Sequence, residues 1–510
     1  MMRIVENKLT MAGGVKLSRI GIKYLMIILL VNIGVTTSFA VSRYASIDRP
    51  RYLYLEYQLI MQNEMPVFVM NQPYTEFEIS QNKTNDFAKK LLSNQAARIN
   101  SGEGISILIN PGWQFGHNNT QTNSYPTTLL DGYFKIDNLI GVNRIYASKM
   151  LASDPGFHGD KSKWTSVNMF DAYMRYASSS HISFFAGRTA RNYGIPNEYS
   201  LFLSNNPYPY DHFGLSASGD RIQFSWYFGR LNDMQGTDAK GLTIPIGETE
   251  VTHRYLAFQR LDWKVGKQFQ FGLSEATLYG SPNQSPVAAY MNPLNFYYLS
   301  QRNQQIQMNG SWQINVFYYV PRKLAFYIDF YIDDLIINNE DGVVARDIHP
   351  DRLAVMSKLS FPDLYLPQTL SSLRYVRVWN ETYVTWRNYE NWVYYNKGLG
   401  FPERSYEGLK LESSYFGGEK WQTTLSCEVW RKGNKPLFSL VEDGEDSTFP
   451  SSPVTRGLTS TGKLHFLYKH LMLDMHISYE ILATGEDVND TNIGFRLGLN
   501  YRLKMSSPLQ

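Results

Sequence analysis

From about residue 104 to the C-terminus, hydrophobic and polar positions alternate with a period of two. The last segment shows it best. Ile493, Phe495, Leu497, Leu499, Tyr501 and Leu503 fall on one side of an extended strand, and Asn492, Gly494, Arg496, Gly498, Asn500 and Arg502 fall on the other, because successive side chains of a strand point to opposite faces. Leu473, Met475, Ile477, Tyr479 and Ile481 alternate in the same way with Asp474, His476, Ser478 and Glu480. Trp421, Thr423, Leu425, Cys427 and Val429 alternate with Gln422, Thr424, Ser426 and Glu428, and Leu324, Phe326, Ile328, Phe330 and Ile332 with Ala325, Tyr327, Asp329, Tyr331 and Asp333. A soluble β-sandwich also alternates, with its apolar face inward. Arginines on the face of a dry core, however, would lack water or partners at a cost of several kcal/mol, whereas arginines facing a wet lumen are stable.

The connections separate the two architectures. Tight turns are expected at 178–180, 218–220, 266–267, 321–322, 417–419 and 469–470, and long polar, aromatic loops at 151–165, 188–212, 231–252, 280–309, 334–352, 387–407 and 432–456. Short and long connections alternate strictly. In an up-and-down barrel this places every long loop at one rim, outside the cell, and every tight turn in the periplasm. Counting from Gly104 to Lys504 gives about 18 strands, an even number as such barrels require. The prediction is an all-β fold: a transmembrane antiparallel β-barrel over 104–510. Residues 505–510 are expected to trail behind the last strand.

The first 103 residues read differently. Arg3, Lys8, Lys16, Arg19 and Lys23 precede the apolar run Tyr24 to Val31, and Ser38-Phe39-Ala40 is a small-x-small cleavage pattern, so residues 1–40 read as a signal peptide rather than a retained anchor. Over 41–103 a small N-terminal periplasmic or plug element is expected, with a helix over Gln81 to Ile99 that gathers Phe87, Leu91 and Leu92 on one side.

Composition agrees with the barrel. Aromatics make up 15% of the chain and tyrosines number 36, favouring strands and water–lipid boundaries. The mean hydropathy of −0.33 would be too low for a helical membrane protein, but a barrel turns only alternate side chains to lipid. A net charge of +3 without a basic stripe argues against nucleic acid as a partner. The single cysteine, Cys427, excludes an intrachain disulfide framework.

Several motifs resemble the capsule-assembly Wzi family of outer-membrane proteins, in its divergent branch. They are Gly187-Arg188, Arg191-Asn192-Tyr193-Gly194, the run Ser200 to Pro207 with Asp211, His253-Arg254, Tyr290-Met291-Asn292-Pro293 with Phe296, and Tyr331-Ile332-Asp333-Asp334; Gln72 to Glu76 adds an N-terminal likeness. Tyr193 stands where the family pattern has tryptophan, and Ile195-Pro196 where Pro-Gly is usual. The resemblance implies a lectin-like, non-catalytic barrel in the outer membrane that helps hold or assemble capsular polysaccharide. It implies no cofactor, and as partners the polymer, outer-membrane lipid and the barrel-assembly machinery.

Candidate contacts follow from chemistry. Sugar rings stack their C–H faces on aromatic rings, and their hydroxyls pair with planar polar groups. The expected glycan-binding candidates are Arg188, Arg191, Tyr208, Tyr210, Tyr290, Phe296, Tyr389 and Trp392, supported by Tyr297, Tyr394, Tyr395, Asn205, Asn206, Arg387 and Asn388. The alternative for the rings is a rim girdle, and for Arg188 and Arg191 an ion pair to a lumenal carboxylate such as Asp171. Asp333-Asp334 and residues 338–342 are acidic, but their spacing fits a solvated turn better than a calcium loop. Asp474, His476 and Ser478 share one face, which leaves a hydrolase as a minor reading. A porin is the principal rival, since a barrel of this size can enclose a channel.

Overall fold

The computed structural model describes residues 42–45, 47, 49–81, 104–118, 121–154, 156–162, 165–234, 252–282, 284–304, 308–334, 352–417, 420–440, 448–484 and 487–508. The expected signal peptide, nearly all of the helix expected over 81–99, and the acidic stretch 338–342 lie outside the described residues.

Alternation becomes strand where it was expected. The strands are β1 (Gly104–Asn118), β2 (Gln121–Ile136), β3 (Leu139–Ser148), β4 (Ser166–Ala177), β5 (Ile182–Arg188), β6 (Asp211–Ser218), β7 (Ile222–Arg230), β8 (Thr252–Val265), β9 (Phe269–Pro282), β10 (Asn309–Val320), β11 (Leu324–Asp334), β12 (Arg352–Pro362) and β13 (Thr369–Val378). A two-residue hairpin, β14 (Val393–Tyr394) and β15 (Lys397–Gly398), stands apart. The wall resumes with β16 (Tyr406–Gly417), β17 (Trp421–Lys432), β18 (Thr455–Tyr468), β19 (Leu471–Thr484), β20 (Asp487–Tyr501) and β21 (Leu503–Pro508). Each wall strand pairs antiparallel with the next, and β20 and β21 both pair with β1 to close the sheet. The sheet counts 19 segments, of which β20 and β21 are one strand interrupted at Arg502, so the barrel has 18 strands. The expected trailing tail is thereby corrected: Leu503 to Pro508 pair with Ile109 to Gly104, because the first strand offers them an open ladder.

The faces follow the pattern. Leu425 is 62% exposed on the outer surface while Asp329 on an inward position is fully buried. Cys427 is exposed among the outward side chains of β17. Trp263, Tyr318, Trp421, Tyr468 and Tyr501 are exposed beside the tight-turn end of the wall, forming the aromatic girdle of a membrane interface. No helix among the described residues is long and apolar enough to cross a membrane; the crossing is made by strands.

The lumen is occupied. Helix α1 (Arg49–Ile60) lies inside the wall, with Tyr52 through Ile60 all buried. Glu56 carries the attachment: it takes Lys358 Nζ at 2.8 Å, Ser360 Oγ at 2.7 Å and Asn197 Nδ2 at 2.7 Å. A short helix, α2 (Glu76–Gln81), begins with a capping box in which Thr75 and Glu78 bond reciprocally. Beside it Arg43 joins Glu76 at 2.8 Å and Asp131 at 3.2 Å, and Arg144 continues the chain of ions to Asp171 at 2.6 Å.

Candidate functional site

The loop between β5 and β6 folds into the barrel instead of standing above it. Its neck is fixed by Arg188 and Asp211, directly opposite each other at the strand ends and joined by two bonds of 2.8 and 2.6 Å. Gly187 has φ 129°, and a Cβ there would collide with the Ala172 carbonyl, so only glycine allows this close approach. Inside, Tyr193, Leu201 and Phe202 are buried. Gln313 Nε2 donates to the Tyr193 carbonyl at 2.6 Å and the Leu201 N–H donates to Asp329 at 3.0 Å. At the bottom, Asn192 and Gln72 exchange backbone bonds of 3.0 and 3.1 Å, so the loop meets the N-terminal segment within the lumen.

The loop after β13 folds inward beside it. Arg254, fully buried on the inner face of β8, donates to the carbonyls of Tyr389 at 2.7 Å, Asn391 at 2.8 Å and Val393 at 3.0 Å. Three carbonyls on one guanidinium hold the loop without a carboxylate. The two loops are then zipped together: Ser204 N–H and Oγ donate to Leu399 and Gly400 carbonyls at 2.7 and 2.6 Å, and Asn206 Nδ2 donates to the Gly398 carbonyl at 2.8 Å.

Between these loops, the wall and the N-terminal segment lies a cavity of about 480 Å³, in the size range of small-molecule sites. Tyr146, Phe170 and Tyr208 give it aromatic faces, and Asp154, Asn205, Asn206 and Lys397 give it planar or charged polar groups. Tyr208 donates to Asp154 Oδ2 at 2.6 Å, Lys397 Nζ reaches the same oxygen at 3.1 Å, and its ammonium lies 4.8 Å from the centre of the Tyr208 ring. Burial disfavours the Asp154 carboxylate, but the bonds from Tyr208, the Gly156 N–H and Lys397 outweigh it and hold its pKa below the ordinary value. Burial and the Asp154 charge raise that of Tyr208. Alongside, His158 stacks on Tyr395 with ring centres 3.6 Å apart; burial and then the Arg188 charge lower its pKa.

The expected site residues separate into groups. Tyr208 lines the cavity, Tyr210 is buried 5.6 Å from Tyr394, and Arg188 spans the neck. Arg191 is 3.2 Å from His212 Nε2 and lies over the rings of Tyr44 and Phe185 at 4.9 and 4.6 Å, while Asp171, expected as its partner, is taken by Arg144 and by Thr189 Oγ at 2.6 Å. Trp392 is fully buried and donates to the Phe202 carbonyl at 2.6 Å; Tyr389 is buried beside it. Tyr290 is buried in a separate cluster with Tyr279 and Tyr297, and burial pushes its hydroxyl up to about 12. Phe296 is 66% exposed, away from the cavity. Asp154, Lys397 and His158 were not singled out from the sequence. Lys397 and Asp154 are 243 positions apart, and only the fold brings them together.

Asp333 receives the Tyr383 N–H at 3.2 Å, and the described residues contain no cluster of acids, histidines and cysteines able to hold a metal. The Asp474–His476–Ser478 reading does not assemble: Asp474 is bonded to His465 at 2.5 Å, and Ser478 Oγ faces the Gly494 carbonyl at 3.5 Å.

Comparison with known proteins completes the picture. The profile of the family "Capsule assembly protein Wzi" matches residues 81–347. No curated protein matches by sequence. Among solved structures, Escherichia coli Wzi, an outer membrane protein involved in group 1 capsule assembly and described as a carbohydrate binding β-barrel, aligns with a TM-score of 0.61 at 10% identity, covering 92% of this chain and 99% of its own. Pseudomonas aeruginosa OccD3 (TM-score 0.46, 10% identity, 79% and 92% covered) and outer membrane protein OprD (0.45, 8%, 79% and 94%) align more loosely.

Proposed function

The chain belongs to the capsule assembly protein Wzi family and resides in the bacterial outer membrane, and from that premise we propose that it holds capsular polysaccharide at the cell surface by non-catalytic contact in the mouth of the barrel. The observation that carries the reading is the cavity between the two inward loops, with its aromatic faces around Asp154 and Lys397. A sugar ring seated there meets the Tyr208 face, while its hydroxyls exchange bonds with Asp154, Asn205, Asn206 and Lys397. Arg188 at the loop neck completes the contact surface, with the buried Tyr210 behind it. Trp392, Tyr389, Tyr290 and Arg191 act one layer behind, holding the loops in place. Phe296 reaches the outer surface and meets polymer or lipid. Lipid contact along the wall and delivery by the barrel-assembly machinery belong to the same proposal, as does the division into a removed leader, a plug over 41–103 and the barrel.

The test is capsule retention. A deletion strain complemented with the wild-type chain is expected to keep polymer on the cells, and complementation with Tyr208→Ala or Lys397→Met is expected to release it into the medium with the barrel still present in the outer membrane. Unchanged retention with both variants would overturn the proposed site.

A further inference from the structure

We infer that the loop between β9 and β10 is seated in the membrane, lying along the outside of the wall with Leu294, Phe296 and Leu299 turned to the acyl chains of the lipid. The inference rests on residence in the outer membrane and not on the polysaccharide reading.

The wall beneath this loop breaks the outward apolar pattern. On β8, Trp263 and Leu261 are exposed, and the next position on the same face is Gln259. Gln259 stands directly opposite Glu275 of β9, which follows the exposed Leu273 on that face. Gln259 is four residues from the girdle residue Trp263, as Leu425 is from the girdle residue Trp421 on β17. At about 3.3 Å per residue and a tilt of about 35–45°, both positions lie ~10 Å above the girdle, inside an apolar band about 25 Å tall. Where β17 offers a leucine to lipid, β8 and β9 hold an amide and a carboxyl, which bare hydrocarbon penalises.

The loop covers this polar pair and is fastened by it. Gln259 Nε2 donates to Glu275 at 2.6 Å and to the Asn295 carbonyl at 2.9 Å. The Tyr298 N–H, in the first turn of helix α3 (Tyr297–Gln304), donates to the other Glu275 oxygen at 3.1 Å. The Tyr298 ring meets Trp312, opposite Glu275 on β10, edge-on at 5.2 Å. Further from the tight turns, Tyr290 and Tyr297 are fully buried against Phe228, Tyr255 and Tyr279 of the wall.

The other side of the loop is apolar. Leu294 is 81% exposed, Phe296 66% and Leu299 56%. The bond to Asn295 sets them at the level of Gln259, next above the exposed Leu261 and Leu273, so the patch continues the face that the bilayer already covers. Hydrocarbon admits backbone whose polar groups bond internally. Here the Leu294 N–H donates to Asn292 Oδ1 at 3.1 Å, the Asn295 N–H to the Asn292 carbonyl at 3.2 Å and the Ser300 N–H to the Phe296 carbonyl at 3.2 Å. The loop thus restores the greasy surface that Gln259 and Glu275 interrupt.

The test is spin labelling of the full chain in vesicles of phosphatidylcholine and phosphatidylglycerol. Cys427 is exposed on the wall, so Cys427→Ser serves as the background. Nitroxides are placed through Phe296→Cys and Leu299→Cys, with Leu425→Cys as the lipid reference and Asn434→Cys, exposed on another long loop, as the water reference. Heat-modifiable migration certifies each folded barrel, and Leu294→Cys replaces either loop variant that fails it. At both loop positions the ratio of collisions with oxygen to collisions with a water-soluble nickel chelate is expected to match the Leu425 label and to exceed the Asn434 label several-fold. A nickel-rich, water-like value at either position would overturn the proposal, and it is the value given by a loop built to meet polymer. Dipolar broadening that disappears on dilution with unlabelled chain would also overturn it, by making a second copy the occupant. The vesicles contain no polysaccharide, so the outcome is independent of the proposed glycan site.

Discussion

On the side chain of Glu56, α1, the wall and the inward loop converge, through Lys358, Ser360 and Asn197. Glu56 and Lys358 are both fully shielded in the ion pair, and removing one partner leaves the other charge buried, at a cost of about 3–5 kcal/mol. Glu56→Ala is therefore expected to speed hydrogen exchange and proteolysis within residues 49–60 while the wall strands keep their protection. Asp154 makes a pH-dependent prediction. Its folded pKa lies below the ordinary value, so its contribution is complete above the unfolded pKa of about 4 and is lost as pH falls through the lower folded value. The Tyr208 and Lys397 contacts are thus expected to persist at mildly acidic pH and to release only in strong acid, as followed by the NMR signals of the loops. At this scale the sequence was readable only in part. Aromatic loop residues were identifiable as a group, yet nothing local separates Tyr208, which lines a cavity, from Trp392, which is sealed behind it. That distinction depends on which carbonyl each ring reaches, and the carbonyl of Phe202 is 190 positions from Trp392.

Among elements, the strands were legible because the two environments of a barrel wall impose a period of two on every one of them. Leu425 and Asn492 test this directly. Leu425 faces outward, and Leu425→Arg near the middle of β17 is expected to cost about 2–4 kcal/mol, lowering the yield of folded, heat-modifiable barrel on gels. Asn492, opposite Glu480 on the inner face, is expected to accept Arg with little change in the same assay. Helix α1 escaped detection for the opposite reason. Surrounded by wall and loops, it buries Tyr52 through Ile60 on all sides and so shows no polar stripe at helical spacing. The end of the last strand was also hidden: Lys504 to Pro508 contain little apolar alternation, and their strand state comes from the free edge of β1. The motifs His253-Arg254 and Gly187-Arg188 were visible as patterns, but their work was not. Arg254 gathers three carbonyls and Arg188 fastens a loop neck.

At the scale of the whole molecule, a filled lumen and a sculpted mouth point to holding rather than conducting. The N-terminal segment, which carries α1, and the two inward loops occupy the interior, and that segment meets the β5–β6 loop at Gln72 and Asn192. In planar bilayers the wild-type chain is expected to show no stable open channel, and the Glu56→Ala chain to show transient openings as α1 loosens. The most direct measurement is equilibrium binding of polysaccharide purified from the capsule of the parent cell to the immobilised barrel, compared with Tyr208→Ala. Saturable binding by the wild type is expected, with affinity weakened roughly tenfold or more in the variant; a wild-type barrel that ignores its own capsule, or a variant that binds it equally well, would contradict a polysaccharide site at Tyr208.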